Sequence, residues 1–140
     1  MGKVQILAVL TMDGCLSSEL YDKTHQDLCL DRCGLDEIRK KALYRVTPDY
    51  SISMLHEWRK DCTNIRYLAE ATPDTADYIN GLLRMHAVDE IILYTVPFIS
   101  GSGRHFFKSA LPEQHWTLSS LKSYPNGVCR IIYILDKKAR

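Results

Sequence analysis

No stretch of this sequence approaches the ~20 consecutive apolar residues that a bilayer-spanning helix needs. Val4 to Leu10 is apolar but short, and it runs straight into Thr11-Met12-Asp13. A secretory signal needs a longer apolar region and a small-residue cleavage site. An excess of charge is missing too: 18 Lys and Arg oppose 17 Asp and Glu, which leaves +1. That balance gives no electrostatic footing for nucleic acid or an anionic membrane. Paired cysteines are also lacking. Cys15, Cys29, Cys33, Cys62 and Cys129 are odd in number and irregular in spacing, which argues against a disulfide framework. Together these absences predict a cytoplasmic chain with reduced thiols and no membrane or nucleic-acid partner.

What is present suits one folded unit spanning 1–140. A length of 140 residues with 46% hydrophobic and 25% charged residues supports one sizeable core and an ordinary polar surface. There is no internal repeat, low-complexity stretch or linker. Lys3 to Leu10 is a near-continuous apolar run rich in β-branched residues, as in a strand buried on both faces. It stops at the turn signal Met12-Asp13-Gly14. Cys15 to Gly34 is polar without a sustained period and reads as a loop with room for one helical turn.

Leu35 to Val46 predicts a helix, with Asp36 as a cap and Leu35, Ile38, Ala42 and Arg45/Val46 as its stripe; Pro48 ends it. Tyr50 to Leu55 alternates and predicts a strand, as does Asn64 to Ala69. Thr72-Pro73-Asp74-Thr75 is a helix start, with Thr72 at the cap and Pro73 at the first helical position. That helix should run to about His86, with Ala76, Ile79, Leu83 and His86 on one face. Ile91 to Phe98 is a second fully apolar strand, followed by the break Gly101-Ser102-Gly103. Trp116 to Tyr124 and Val128 to Leu135 are strands joined at Pro125-Asn126-Gly127, a strong hairpin signal. The order β, α, β, β, α, β, hairpin predicts an α/β fold: a mixed, mostly parallel central sheet, helices on both faces and a C-terminal antiparallel hairpin.

Several segments resemble a known family. Val9-Leu10-Thr11-Met12-Asp13-Gly14-Cys15-Leu16-Ser17 is similar to the first strand and loop of dihydrofolate reductase-like proteins. A longer match runs through Leu82-Leu83, Val88-Asp89-Glu90-Ile91-Ile92-Leu93-Tyr94, Pro97, Gly101-Ser102-Gly103 and Phe106-Phe107. Tyr124-Pro125-Asn126-Gly127-Val128 and Tyr133 resemble the family's terminal hairpin. The late block is the more specific, because its parts come in the family's order at the family's distances. Within the family, the sequence resembles the branch formed by the reductase domain of riboflavin biosynthesis.

The resemblance implies a three-layer fold and an NADPH-dependent reductase of a pterin-like or ribosylamino-pyrimidine substrate, often a homodimer. It places the nicotinamide beside Ala8, Val9, Gly14, Leu16 and Ser17. Asp13 is then the carboxylate at that mouth, able to hold an amino-pyrimidine or organise proton delivery. The plainer alternative for Asp13 is an Asx-turn with Gly14. The matching position for the pyrophosphate is the helix start at Ala71 and Thr72.

Two departures from the family pattern carry physical weight. A Gly-Arg-Lys-Thr-like turn is expected after the second strand, where the sequence reads His56-Glu57-Trp58-Arg59 without glycine. A Gly-Gly pair is expected before the helix, where it reads Glu70-Ala71-Thr72-Pro73-Asp74. Pro73 removes an N–H donor, and Glu70 and Asp74 bring negative charge to a place meant for an anion. These departures support a second reading: a cofactor-free relative kept as a small-ligand binding or dimeric interaction protein. His25, Cys29 and Cys33 at i, i+4 and i+8, with Cys15, raise metal binding. Gly34 and the weak helical pattern there argue against it, and no metal site is expected.

Overall fold

The computed structural model describes residues 2–16, 34–42, 44–60, 65–97, 99, 101, 104–107, 111–125 and 127–136. Among the described residues, eight strands form one mixed sheet. In chain order they are β1 (Lys3–Leu10), β2 (Cys15–Leu16), β3 (Tyr44–Arg45), β4 (Arg66–Glu70), β5 (Glu90–Thr95), β6 (Arg104–His105), β7 (Trp116–Ser123) and β8 (Cys129–Leu135). The helices among the described residues are α1 (Leu35–Lys41), α2 (Ile52–Lys60) and α3 (Ala76–Arg84). The main path of the sheet is β3-β4-β1-β5-β8-β7, with β2 pairing β1 and β6. β3, β4, β1 and β5 run parallel, while β8 and β7 close one edge antiparallel.

The opening apolar run sits in the middle of the sheet because it has no polar face to show to water: Val4 to Leu10 is buried throughout. Its alternate residues feed two cores. Val4, Ile6, Ala8 and Leu10 pack with Leu55 of α2 and with Ala76, Ile79, Leu82 and Leu83 of α3. Leu7 and Val9 pack with Leu68, Ile92, Tyr94 and Leu35, with Ile38 of α1 against them. Each fully buried aliphatic side chain of this kind contributes roughly 1.5–3 kcal/mol. The three layers expected from the sequence are therefore α1, the sheet, and α2 with α3.

The structure corrects two elements. Tyr50 to Leu55 is not a strand, because most of it lies in α2. The alternation of Tyr50, Ile52 and Met54 is misleading: Met54 is exposed, whereas Leu55 is fully buried. The helical spacing Ile52, Leu55, Trp58 is the one that meets the core, and Ser51 Oγ accepts the Met54 N–H at 3.2 Å as an N-cap. The first helix also stops at Lys41, five residues before Val46. Tyr44 and Arg45 instead pair with Tyr67 and Leu68, and the Tyr44 ring stacks on Tyr67 at 5.6 Å. Smaller shifts move α3 to begin at Ala76 and end at Arg84. The Pro125–Gly127 hairpin forms as expected between β7 and β8.

Candidate functional site

Both strands beside β1 are parallel to it, yet their pairings end at different heights. The β1–β4 ladder stops at Leu7 opposite Glu70, closed by the Ala71 N–H donating to Leu7 O at 2.7 Å. The β1–β5 ladder continues to Leu10 opposite Thr95, and Val96 N–H reaches Leu10 O at 2.9 Å. Beyond Leu7, then, β1 is flanked by β5 on one side and, on the other, by the turn after β4 and then by β2, whose Leu16 pairs with Leu10. The helices following β1 and β4, α1 and α3, pack on opposite faces. Divergence of this kind at the carboxyl ends of parallel strands is where open α/β sheets bind ligands. Ala8 and Val9 are buried at this end of β1, and Ala71 and Thr72 are half-buried in the turn after β4.

The loop after β1 is held by Asp13. Its half-buried carboxylate accepts the Thr11 hydroxyl through Oδ1; through Oδ2 it accepts the Gly101 N–H at 3.1 Å and a weak bond from the Cys15 thiol at 3.7 Å. Thr11 closes the turn itself, with Cys15 N–H on its Oγ1 at 3.1 Å and Gly14 N–H on its carbonyl at 3.0 Å. Leu16 pairs back with Leu10, and β2 in turn pairs with β6, setting Cys15 opposite His105 with Sγ 4.0 Å from Nδ1. Burial pushes the Cys15 thiol pKa up. The negative charge of Asp13 and its hydrogen bond push the same way, against a smaller opposing effect from Thr11.

The turn leading into α3 bonds the N–H groups of Thr72 and Thr75 within itself. Thr72 N–H goes to Thr75 Oγ1 at 2.9 Å, Thr75 N–H to Thr72 Oγ1 at 3.2 Å, and the Thr75 hydroxyl to Glu70 O at 2.9 Å. Glu70 is held by two arginines: Arg39 of α1 meets Oε1 at 2.7 and 2.8 Å, and Arg45 of β3 meets Oε2 at 2.8 Å.

No family model and no curated protein matches the sequence. Solved structures match almost end to end. A putative riboflavin biosynthesis protein from Shewanella sp. PV-4 superposes with TM-score 0.64 at 11% identity, covering 96% of this chain and 99% of that one. A pyrimidine reductase-like protein from Corynebacterium diphtheriae gives TM-score 0.58 at 12% identity over 96% and 92%. A dihydrofolate reductase from Enterococcus faecalis, complexed with NADP(H) and RAB-propyl, gives TM-score 0.58 at 10% identity over 96% and 97%. The chain has the dihydrofolate reductase-like fold.

The group that the sequence resemblance implies is a nicotinamide dinucleotide, whose pyrophosphate needs free N–H donors and positive charge. Residues 71–75 do not fit that group: the N–H groups of Ala71, Thr72 and Thr75 are already bonded within the protein, Pro73 has none, and Asp74 is acidic. Negative charge there opposes an anion by ~0.3–1 kcal/mol.

The structure thus brings Ala8, Val9, Gly14, Leu16, Ala71, Thr72 and Asp13 to one end of the sheet. Ser17 lies outside the described residues, as do Ser102, Gly103, His25, Cys29 and Cys33. Among the described residues no group of three His, Cys, Asp or Glu side chains is placed to hold a metal. The four-residue stretch His56 to Arg59 lies within α2, so the turn after the second parallel strand is 46–51 instead. Sequence reasoning missed the Thr11, Gly101 and Cys15 contacts of Asp13, which span up to 88 positions. It also read Glu70 as bare negative charge, whereas Arg39 and Arg45 compensate it.

Proposed function

We propose that this protein binds a small planar heterocycle of the pterin or amino-pyrimidine kind in the crevice at the carboxyl ends of β1, β4 and β5, and that it does so without a dinucleotide. The turn at 71–75 carries this reading, because the N–H groups of Ala71, Thr72 and Thr75 are bonded within the protein and Pro73 has none. Fold likeness to a pyrimidine reductase-like protein and to a dihydrofolate reductase supports the ligand class. In this proposal Ala8, Val9, Gly14, Leu16 and Ser17 bound the ligand, and Asp13 positions their loop and presents its carboxylate to ligand N–H groups. The chain is taken as a homodimer, the assembly that the resemblance implies, which light scattering tests.

The second reading is an NADPH-dependent reductase of a pterin-like or ribosylamino-pyrimidine substrate, with Asp13 as the catalytic carboxylate. Its supporting observation is the likeness of fold to a dihydrofolate reductase complexed with NADP(H), matched over 96% of the chain. Thermal melting decides between the two. A bound ligand at 100 times its Kd adds roughly 2.7 kcal/mol of stability. We expect a pterin or amino-pyrimidine to raise the melting temperature and millimolar NADPH to leave it unchanged. A clear NADPH shift, followed by NADPH oxidation on adding the heterocycle, establishes the reductase instead.

A further inference from the structure

A cavity of about 170 Å³ lies between α1 and the sheet, over β5 and β8. Its middle is apolar: Ile92 pairs with Ile132 across the two strands, and Ile38 of α1 lines the same space. Beside them β1 contributes Gln5, the polar residue in its buried run. Along the strands from the isoleucine pair, Glu90 comes two residues one way, and Arg130, opposite Tyr94, two residues the other. Both border the cavity. At a rise of ~3.3 Å per residue their backbones stand about 13 Å apart along the strands, so the apolar floor separates a carboxylate from a guanidinium.

The polar groups of this interior lack partners. Gln5 is 4% exposed, and among the described residues no hydrogen bond reaches its side-chain amide, so that amide opens onto the cavity alone. Arg130 Nε is cut off from solvent and has no acceptor, and its guanidinium packs so closely on Gly34 that a Cβ there would meet Nη1 at 2.9 Å. Glu90 is half-buried, and among the described residues neither it nor Arg130 joins an ion pair. Buried polar groups normally find partners, because an unpaired one loses its hydration for nothing. Three such groups around one cavity point to an occupant that supplies the missing bonds. The exposed Glu37, Lys41 and Arg66 at the opening carry both signs, so selection falls to the interior.

We propose that this cavity binds a small zwitterion, an amino acid whose carboxylate meets Arg130, whose ammonium group meets Glu90 and whose methylene chain lies on Ile92 and Ile132. A planar guanidinium suits a carboxylate, and charge-assisted bonds of this kind are the strong ones. The Gln5 amide offers a donor and an acceptor between the two ends. A simple carboxylate would leave Glu90 unpaired, and a simple amine would leave Arg130 so. The separation of the two charged groups favours an ω-amino acid over an α-amino acid. The size agrees, since a cavity of ~150 Å³ accepts a benzene-sized molecule. This site shares no residue with the heterocycle site proposed above and stands independently of it.

Titration followed by backbone-amide NMR tests it, with δ-aminovalerate as the probe and valerate and n-pentylamine as its two halves. δ-Aminovalerate should shift the amides of Gly34, Ile92 and Ile132 saturably and bind about tenfold or more tighter than either half. Arg130→Gln and Glu90→Gln, with folding checked by circular dichroism, should each weaken it by about fivefold or more. Ile132→Trp, which fills the cavity, should abolish binding and keeps the test open if a charge variant does not fold. Absence of a saturable shift, a half that binds as tightly as the whole, shifts centred on Ala8 and Ala71 instead, or binding unchanged in the folded variants overturns the proposal.

Discussion

The side-chain amide of Asn80 donates to the carbonyl of Phe106 at 2.8 Å and to that of Ala76 at 2.7 Å, and Asn80 is fully buried. One amide thereby locks α3 to the segment that pairs with the Cys15 strand. Asn80→Leu keeps the volume and strands the Phe106 carbonyl, which costs about 1–3 kcal/mol. Asn80→Asp sets a carboxylate against two carbonyl oxygens and should cost more. Urea unfolding midpoints check the order; equal midpoints for Asn80→Leu and wild type would contradict it.

Gly127 closes the terminal hairpin at φ +89, with the space for a Cβ filled by the Pro97 ring at 3.0 and 3.2 Å. Gly127→Ala meets both a left-handed backbone and rigid ring carbons, so about 1–3 kcal/mol of destabilisation is expected. Gly101 also has a positive φ but nothing within 4 Å of the added Cβ. Gly101→Ala should therefore lose only about 1 kcal/mol. Paired thermal melts separate the contact from the conformational cost.

These two positions illustrate what the sequence discloses. The turn at Pro125-Asn126-Gly127 and the doubly buried β1 are legible because their signals are local: a turn tripeptide, and apolar residues at every position. The misreading of α2 has an equally local cause. Tyr50, Ile52 and Met54 fit a two-residue period, and only the core contact of Leu55 shows that the three-residue spacing prevails. At the site, Asp13 was identifiable from the Asp-Gly loop. Its bond to Gly101 was not, because chain folding alone joins positions 88 apart. The same holds for Glu70, whose partners Arg39 and Arg45 lie 31 and 25 positions away.

That arginine pair on Glu70 should be unequal. Arg39 contacts it through two nitrogens at 26% side-chain exposure, whereas Arg45 reaches it through one at 57%. Solvent screens the second more strongly. Double-mutant cycles with Glu70→Gln should give a coupling of about 1 kcal/mol for Arg39 and under about 0.5 kcal/mol for Arg45. Adding 0.5 M salt, roughly a 4 Å screening length, should abolish the Arg45 coupling first. Equal couplings would mean that exposure does not govern this network.

The Cys15 thiol gives the fold a pH dependence of definite sign. Burial and the adjacent Asp13 carboxylate raise its pKa in the folded state. An unfolded thiol ionises at about 8.5, so above that value the unfolded chain binds fewer protons than the folded one, and stability falls as pH rises. The contribution is fully present below the unfolded value and is lost progressively above it. Tyr78, raised by burial, extends the same trend from about 10 upward. Cys15→Ser removes the thiol's share, so its unfolding free energy should decline less steeply than the wild type's between about pH 8 and 10. Carbamidomethylation followed by peptide mass mapping offers an independent check, because a buried, protonated thiol reacts slowly. Cys15 should label more slowly than the half-buried Cys129 in native protein and at a similar rate in urea. Fast native labelling of Cys15, or parallel pH profiles for Cys15→Ser and wild type, would show that the thiol beside Asp13 is open to solvent and ionises as freely as in the unfolded chain.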